Sequence, residues 1–202
     1  MAVPARRARW GAAASVDERK DEILRGLGAA VRERGFGALT MKDVADRLGL
    51  VKGNLYYYFK SKQELLYHCH IKSMQISLRA LEEVERSRAA PGERLRALLV
   101  RHIRGIAEES YGAVFLTDLE SLTPAQRRRY VALRDRFEHG VRALIKAGIA
   151  RGEFRRQDPR IAGFAILGAI NWIPKWYRPD GELSSEAIAE QFADFLLRSL
   201  HA

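Results

Sequence analysis

The sequence has one cysteine, Cys69, so no disulfide can form within the chain, and a reducing compartment such as the cytosol is expected. It has no apolar run of the roughly 18 residues that a membrane-spanning helix needs. The longest, IAGFAILGAI (161–170), suits a buried helix of a globular fold, and no membrane partner is expected. The first residues, MAVPARRARWGAAAS, lack the apolar core of a signal peptide and read as a basic, disordered arm over 1–16. Glycine and proline are sparse, at 16 and 6, and no low-complexity tract or internal repeat is present. No period-2 run occurs, and no Asn-Gly or Asp-Gly turn joins alternating apolar segments, which argues against β-structure. GxSxG, HExxH, P-loop and GxGxxG patterns are all missing, so no catalytic residue and no cofactor is expected. His68-Cys69-His70 is the one stretch that suggests a metal. Neighbours two apart on a helix do not share a face, and no metal site is expected there.

What is present is positive charge and helical periodicity. The chain of 202 residues has a formal net charge of +10 and is 47% hydrophobic, enough to bury a core. Residues 1–62 hold 13 Lys and Arg against 7 Asp and Glu, while 63–202 hold 22 against 18. Under a third of the chain therefore carries most of the excess, and a polyanion is the natural partner: nucleic acid first, an anionic membrane surface second.

Almost everything else reads as helix, and the expected class is all-α with about nine helices. Ile23, Leu27, Ala30 and Val31 form one stripe over 17–34. Thr40 with Asp43 fits a capping box that opens a helix over 41–48, and Gly49 stops it. Another short helix follows over 51–58. Longer helices are expected over about 63–86, 93–109 after a break at Pro91-Gly92, 112–121, 124–151, 159–177 and 184–200. Pro124 and Pro159 each stand at a first helical position. Pro174 kinks or ends its helix.

Two short helices joined by a tight turn and braced by a longer one make a helix-turn-helix. Val44, Ala45 and Leu48 pack the first short helix, and Leu50 fills the turn. Val51, Leu55 and Phe59 pack the second. On a helical wheel centred on Val51, Gly53 falls at about 200°, Tyr57 at about 240° and Tyr56 at about 140°, all outward, with Tyr58 on the shoulder. A residue without a side chain beside two exposed phenols suits a helix lying in the major groove, with Tyr57 reaching base edges. The alternative is aromatics covering the adjacent long helix, and for Tyr58 both readings stay open.

The stretch TMKDVADRLGLVKGNLYYYFKSKQELL (40–66) resembles the DNA-binding segment of the TetR family of bacterial transcriptional regulators, a likeness that covers about 17–66. That resemblance implies DNA contacts from Thr40, Lys52, Gly53, Asn54, Tyr56, Tyr57, Tyr58 and Lys62, with Thr40 and Lys62 holding phosphates at the two ends. Val51 departs from the family, which usually has Ser or Thr there. A helix cap and a potential phosphate contact are lost with the hydroxyl. Arg6, Arg7 and Arg9 offer further minor-groove or phosphate contacts if the arm is more than a floppy tail.

Expected domains are a helix-turn-helix domain over 17–62 and a ligand-binding and dimerisation domain over 63–202. Helix 159–177 is apolar all round and carries Ile161, Phe164, Leu167 and Gly168. With Ile188, Phe192 and Phe195 of the last helix it forms either a deep monomer core or a dimer surface. The resemblance implies the latter, a four-helix interface in a homodimer on a palindromic duplex-DNA operator. It also implies an effector pocket in the middle helices, for which His102, Ile106, Phe115, Leu119, Phe137, Val141 and Asn171 are candidates, although each also reads as simple packing. NWIPKWYRPDGELS (171–184) is similar to the C-terminal end of TetR-family regulators of fatty-acid, aromatic-acid and steroid breakdown, whose ligands are often acyl-CoA thioesters. Trp172, Trp176 and Arg178 join the pocket candidates on that ground. Arg127, Arg128 and Arg129 are a second phosphate candidate beside a solvated-face reading. The leading expectation is thus a homodimeric repressor released by a small-molecule effector. A constitutive or architectural DNA-binding dimer is the alternative, and an enzyme comes last.

Overall fold

Capping side chains set most of the helix starts. The computed structural model describes residues 15–34, 37–108 and 119–201. There α1 spans Val16–Arg34, α2 Met41–Leu48, α3 Lys52–Tyr58, α4 Lys62–Arg86 and α5 Pro91–Glu108. A 3₁₀ turn, Leu119–Ser121, precedes α6 (Pro124–Ala150), α7 (Pro159–Asn171), the one-turn α8 (Ile173–Trp176) and α9 (Ser185–Arg198). The fold is all-α, and the described residues contain no strand. Thr40 and Asp43 form the expected box. The Asp43 amide donates to the Thr40 hydroxyl at 3.1 Å, and the Thr40 amide donates to the Asp43 carboxylate at 2.8 Å. Ser61, Thr123, Asp158 and Ser184 cap α4, α6, α7 and α9 with their side chains.

Three expectations change. Pro91 and Gly92 lie inside the first turn of α5, where the missing proline N–H has no helical acceptor to lose. The single helix over 159–177 is split, because Pro174 has no N–H to continue the ladder; α7 ends at Asn171 and α8 resumes at Ile173. The helix expected over 112–121 falls largely outside the described residues, and its last residues, Leu119–Ser121, form the 3₁₀ turn.

The buried side chains form two apolar clusters. The first gathers Ile23, Leu24 and Leu27 of α1, Val44 and Ala45 of α2, Leu55 of α3, Phe59, and Leu65, Leu66 and Cys69 of α4. Helices α1 and α2 meet closely at Gly26, where a Cβ would stand 2.2 Å from a Leu48 methyl, so a larger residue there requires the Leu48 side chain to move. Gly49 turns the chain from α2 towards α3 with a left-handed φ of 65°. The second cluster joins the later part of α4 to α5, α6, α7 and α9 through residues such as Leu81, Leu98, Ile103, Val141, Ile166 and Ala189.

Helix α4 belongs to both clusters, and the segment before α6 stitches them further. Leu122 is buried in the first cluster, and Leu119 packs against both. The Gln63 side-chain amide donates to the Ser121 carbonyl. Lys72 of α4 pairs with Asp21 of α1 at 2.6 Å. The His70 ring of α4 lies against Tyr130 of α6, centroids 4.6 Å apart. The segment that leads into α6 is therefore in direct contact with the module that carries α2 and α3.

Candidate nucleic-acid interface

Helix α3 is held from one side and open on the other. Leu55 and the residue that ends the helix, Phe59, are fully buried. Tyr57 is 69% exposed and Tyr56 37%, with the Lys52 ammonium 5.7 Å from the Tyr56 ring centroid. Tyr58 is half-buried, packs against the first cluster, and stands edge-on to Tyr57 at 5.0 Å. Gly53 and Asn54 are exposed beside them. A Cβ on Gly53 would meet nothing within 4 Å, so no contact inside the protein requires a glycine there.

Val51 does not pack as its spacing suggested. It is 72% exposed, because it precedes the helix with φ −68° and ψ 135°, and this extended backbone turns its side chain off the buried stripe. It makes no side-chain cap for α3.

Thr40 and Lys62 stand at the edges of the module. Thr40 is exposed, and its hydroxyl donates to Asp43 at 2.5 Å. The Lys62 ammonium donates to the Gly37 carbonyl at 3.1 Å, tying α4 to the α1–α2 turn, and burial holds its pKa below the ordinary lysine value. Arg6, Arg7 and Arg9 lie outside the described residues.

The pocket candidates divide into two groups that the structure keeps apart. Ile106, Phe137 and Val141 are buried together in the second cluster, with His102 buried against Phe137 and Leu119 partly buried at the cluster's edge. His102 Nδ1 is 2.9 Å from the Ser77 hydroxyl, and its ring lies 4.5 Å from that of Phe137. Burial pushes the imidazole pKa of His102 down to about 4, so it is neutral at pH 7. His70 is pushed down to about 4 by burial and by the nearby Arg134 guanidinium. Trp172 and Trp176 are 59% and 42% exposed, and Arg178 is exposed, so these three do not line an interior space with His102. Trp176 stacks on Phe192 at 5.8 Å instead. Asn171 is half-buried at the end of α7, and Phe115 lies outside the described residues. Arg127 and Arg128 share an open groove with Glu120 and Asp135, acids that oppose a phosphate there.

Helix α7 is apolar on two faces, one buried and one open. Ile166 and Ile170 are buried, inside the second cluster. Ile161 and Phe164 are 63% and 48% exposed, Leu167 is half-buried, and Gly168 is exposed with open space where a Cβ would stand. On α9, Phe195 is 72% exposed and Phe192 half-buried, but Ile188 is only 3% exposed. Ile188 points with Ala189 and Ala193 into the core and is unavailable to a partner subunit.

Two features were not picked out from the sequence. Ser73 and Ser77 are buried hydroxyls on the inner face of α4, and their spacing of four within the apolar stripe was the available signal. Arg19 is a buried arginine one turn before Ile23 and two before Leu27, on the stripe of α1 that packs. Among the described residues, no group of three or more His, Cys, Asp or Glu comes together as metal ligands.

Comparison with known proteins accounts for both clusters. Residues 23–69 match the model of bacterial regulatory proteins of the tetR family, and residues 88–200 match that of the tetracyclin repressor-like C-terminal domain. The HTH-type transcriptional repressor KstR2 of Mycobacterium tuberculosis is 27% identical over 189 residues, covering 92% of this chain and 94% of the relative. The TetR family regulator PfmR of Thermus thermophilus is 35% identical, with a TM-score of 0.79 over 89% of this chain and 99% of its own. AibR, solved with isovaleryl coenzyme A and operator DNA, is 26% identical, with a TM-score of 0.76 over 90% of this chain and 97% of its own. With its helix-turn-helix and its larger helical unit both matched, the chain belongs to the TetR family of bacterial transcriptional regulators.

Proposed function

We propose that this regulator is a homodimeric repressor that reads a palindromic operator with α3 and leaves it when an acyl-CoA thioester binds among α4, α5 and α6. One observation carries the DNA reading: α3 exposes Tyr56, Tyr57, Asn54 and a glycine that no internal contact requires, on a helix anchored from behind by Leu55 and Phe59. In the groove, Tyr57 and Asn54 meet base edges and Gly53 lets the backbone approach. Lys52, Tyr56, Tyr58, Thr40 and Lys62 serve the phosphates, so residues 17–62 with the start of α4 form the DNA-binding unit.

The rest of the chain, 63–202, holds the effector and the partner subunit. AibR binds isovaleryl coenzyme A and operator DNA, and KstR2 is a repressor, which supports the same logic here. Ile106, Phe137 and Val141 are buried in one apolar cluster, with His102 against the Phe137 ring and bonded to Ser77, and these four, His102 included and Ser77 aside, are the side chains we assign to the effector's apolar end. The exposed apolar surface of Ile161, Phe164, Gly168 and Phe195 is where we place the second copy. Trp172 and Trp176 lie beside it rather than in the pocket. The effector acts only through its different affinity for the two conformers. The Leu119–Leu122 segment and Gln63 give it a mechanical path to the DNA-binding unit. A regulator of this kind works in the cytoplasm, on the chromosome.

The test is titration of acyl-CoAs of graded chain length against the protein on its operator, read by fluorescence anisotropy. Release by some acyl-CoAs and not by free CoA is the expected result. DNA binding indifferent to every acyl-CoA would favour a constitutive dimer.

A further inference from the structure

We propose that Trp172 and Trp176 are anchors of the homodimer interface, covered by a second copy of this chain together with the α7–α9 face. This deepens the homodimer reading and rests on it. Trp172 follows α7 with helical backbone, φ −84° and ψ −17°, so helical spacing still applies to it. Ile161, Phe164, Gly168 and Trp172 then stand at i, i+3, i+7 and i+11, one stripe opposite the buried Ile166 and Ile170. Trp176, one turn on, stacks on Phe192 of α9, three residues before the exposed Phe195. Ala169 of α7 lines one hollow with Phe192 and Phe195 of α9. The two tryptophans and the α7–α9 face are thus one continuous apolar surface.

The break at Pro174 holds both indoles in place. The turn of α8 buries Ile173 and Tyr177 in the second cluster and leaves Trp172 and Trp176 outside. Aromatic side chains already fixed on a rigid turn lose little freedom when a partner covers them. The Lys175 ammonium stands 6.0 Å from the Trp172 ring centroid, an attraction that strengthens when water is excluded.

Three observations favour a second copy as the occupant. The first is area. With side chains of about 150–250 Å², Ile161, Phe164 and Phe195 expose roughly 350 Å² between them, under half of the ~800 Å² per partner in a standard interface. The exposed Trp172, Trp176 and Leu183 roughly double it. The second is shape. An interface across a two-fold axis must match itself, and the projecting Phe195 stands beside a hollow of about 470 Å³ on the same patch. The third is charge. Lys175 and Arg178 are followed by Asp180 and Glu182, all exposed, so the patch carries both signs and suits its own copy. An anionic lipid surface would be repelled by the two acids.

The test is acrylamide quenching and sedimentation velocity over a dilution series of W10F, in which only these two of the three tryptophans remain. In the dimer both indoles should be shielded from quencher, and dilution to monomer should expose them and move their emission to the red. W172A and W176A, compared with W10F by thermal melt, should each raise the dimer Kd at least about 100-fold, because a tryptophan anchor is lost twice in a symmetric dimer. Dimeric W10F quenched as freely as its monomer would overturn the proposal, whether or not W176A folds. So would folded W172A and W176A that dimerise as tightly as W10F. A chain that stays monomeric at every concentration would instead remove the homodimer reading, and this inference with it.

Discussion

Both ends of the molecule expose large apolar side chains, but in different company. On α3 they are phenols, Tyr56 and Tyr57, set beside Lys52, Asn54 and a bare Gly53. On the α7–α9 face they are Ile161, Phe164 and Phe195, with no polar group of their own. A phenol is wet at its tip and can meet a base edge or a phosphate through hydrogen bonds. An isoleucine or phenylalanine about half exposed or more gains only by being covered with another apolar surface. The first face therefore suits a polar, charged partner and the second suits a copy of itself. Basic charge follows the same division, concentrated in the first 62 residues.

The sharpest way to break this contrast is Phe195→Asp. A charge on the apolar face should yield monomers in sedimentation velocity. The loss of bivalent engagement should cost at least about 100-fold on a full palindrome and far less on a single half-site. The interior of the molecule has its own signature in pH. His70 and His102 are held at about 4 in the fold, against about 6.5 when unfolded. The folded protein thus binds fewer protons than the unfolded chain between these values. Stability should fall as pH drops from about 6.5 towards 4 and level off below, by up to about 1.4 kcal/mol per pH unit for each imidazole. His102→Asn should flatten that fall in thermal melts without abolishing the Ser77 hydrogen bond.

Tyr57→Ala tests the other face. It should weaken operator binding by about 1–3 kcal/mol while barely changing affinity for random duplex. Equal losses on both would remove Tyr57 from specificity. Lys62→Ala should weaken both DNAs alike and make log K less steep in log salt by about one unit. It also loses the bond to Gly37, so its melting temperature should drop slightly. The smallest effect is expected from Val51→Ser, which restores a cap to α3 and should stabilise the fold by about 0.5–1 kcal/mol.

The sequence reads well where local chemistry decides and poorly where the partner surface decides. The Thr40 box, the αL turn at Gly49 and the sorting of the three tyrosines all follow from neighbours within one or two turns. Val51 was misplaced because helical spacing was extended one residue past the true start of α3, into extended backbone. Ile188 was misplaced because the core face of α9 is completed by Ala189 and Ala193, small residues that carry little weight in an apolar pattern. Trp172 and Trp176 are pocket candidates by resemblance alone, because a helix that is apolar all round gives no phase of its own. Only the split at Pro174 and the packing of α7 show which side faces water. Arg19 escaped notice for the opposite reason, since a lone charge on an apolar stripe reads as a boundary of that stripe.

Selection of bound sequences from a pool of random duplexes tests the central claim most directly. The account predicts enrichment of an inverted repeat whose half-site centres lie about 34–36 Å, or a multiple of that, apart, and loss of the enrichment with Tyr57→Ala. A pool that stays random, or an enriched site without two-fold symmetry, would contradict it.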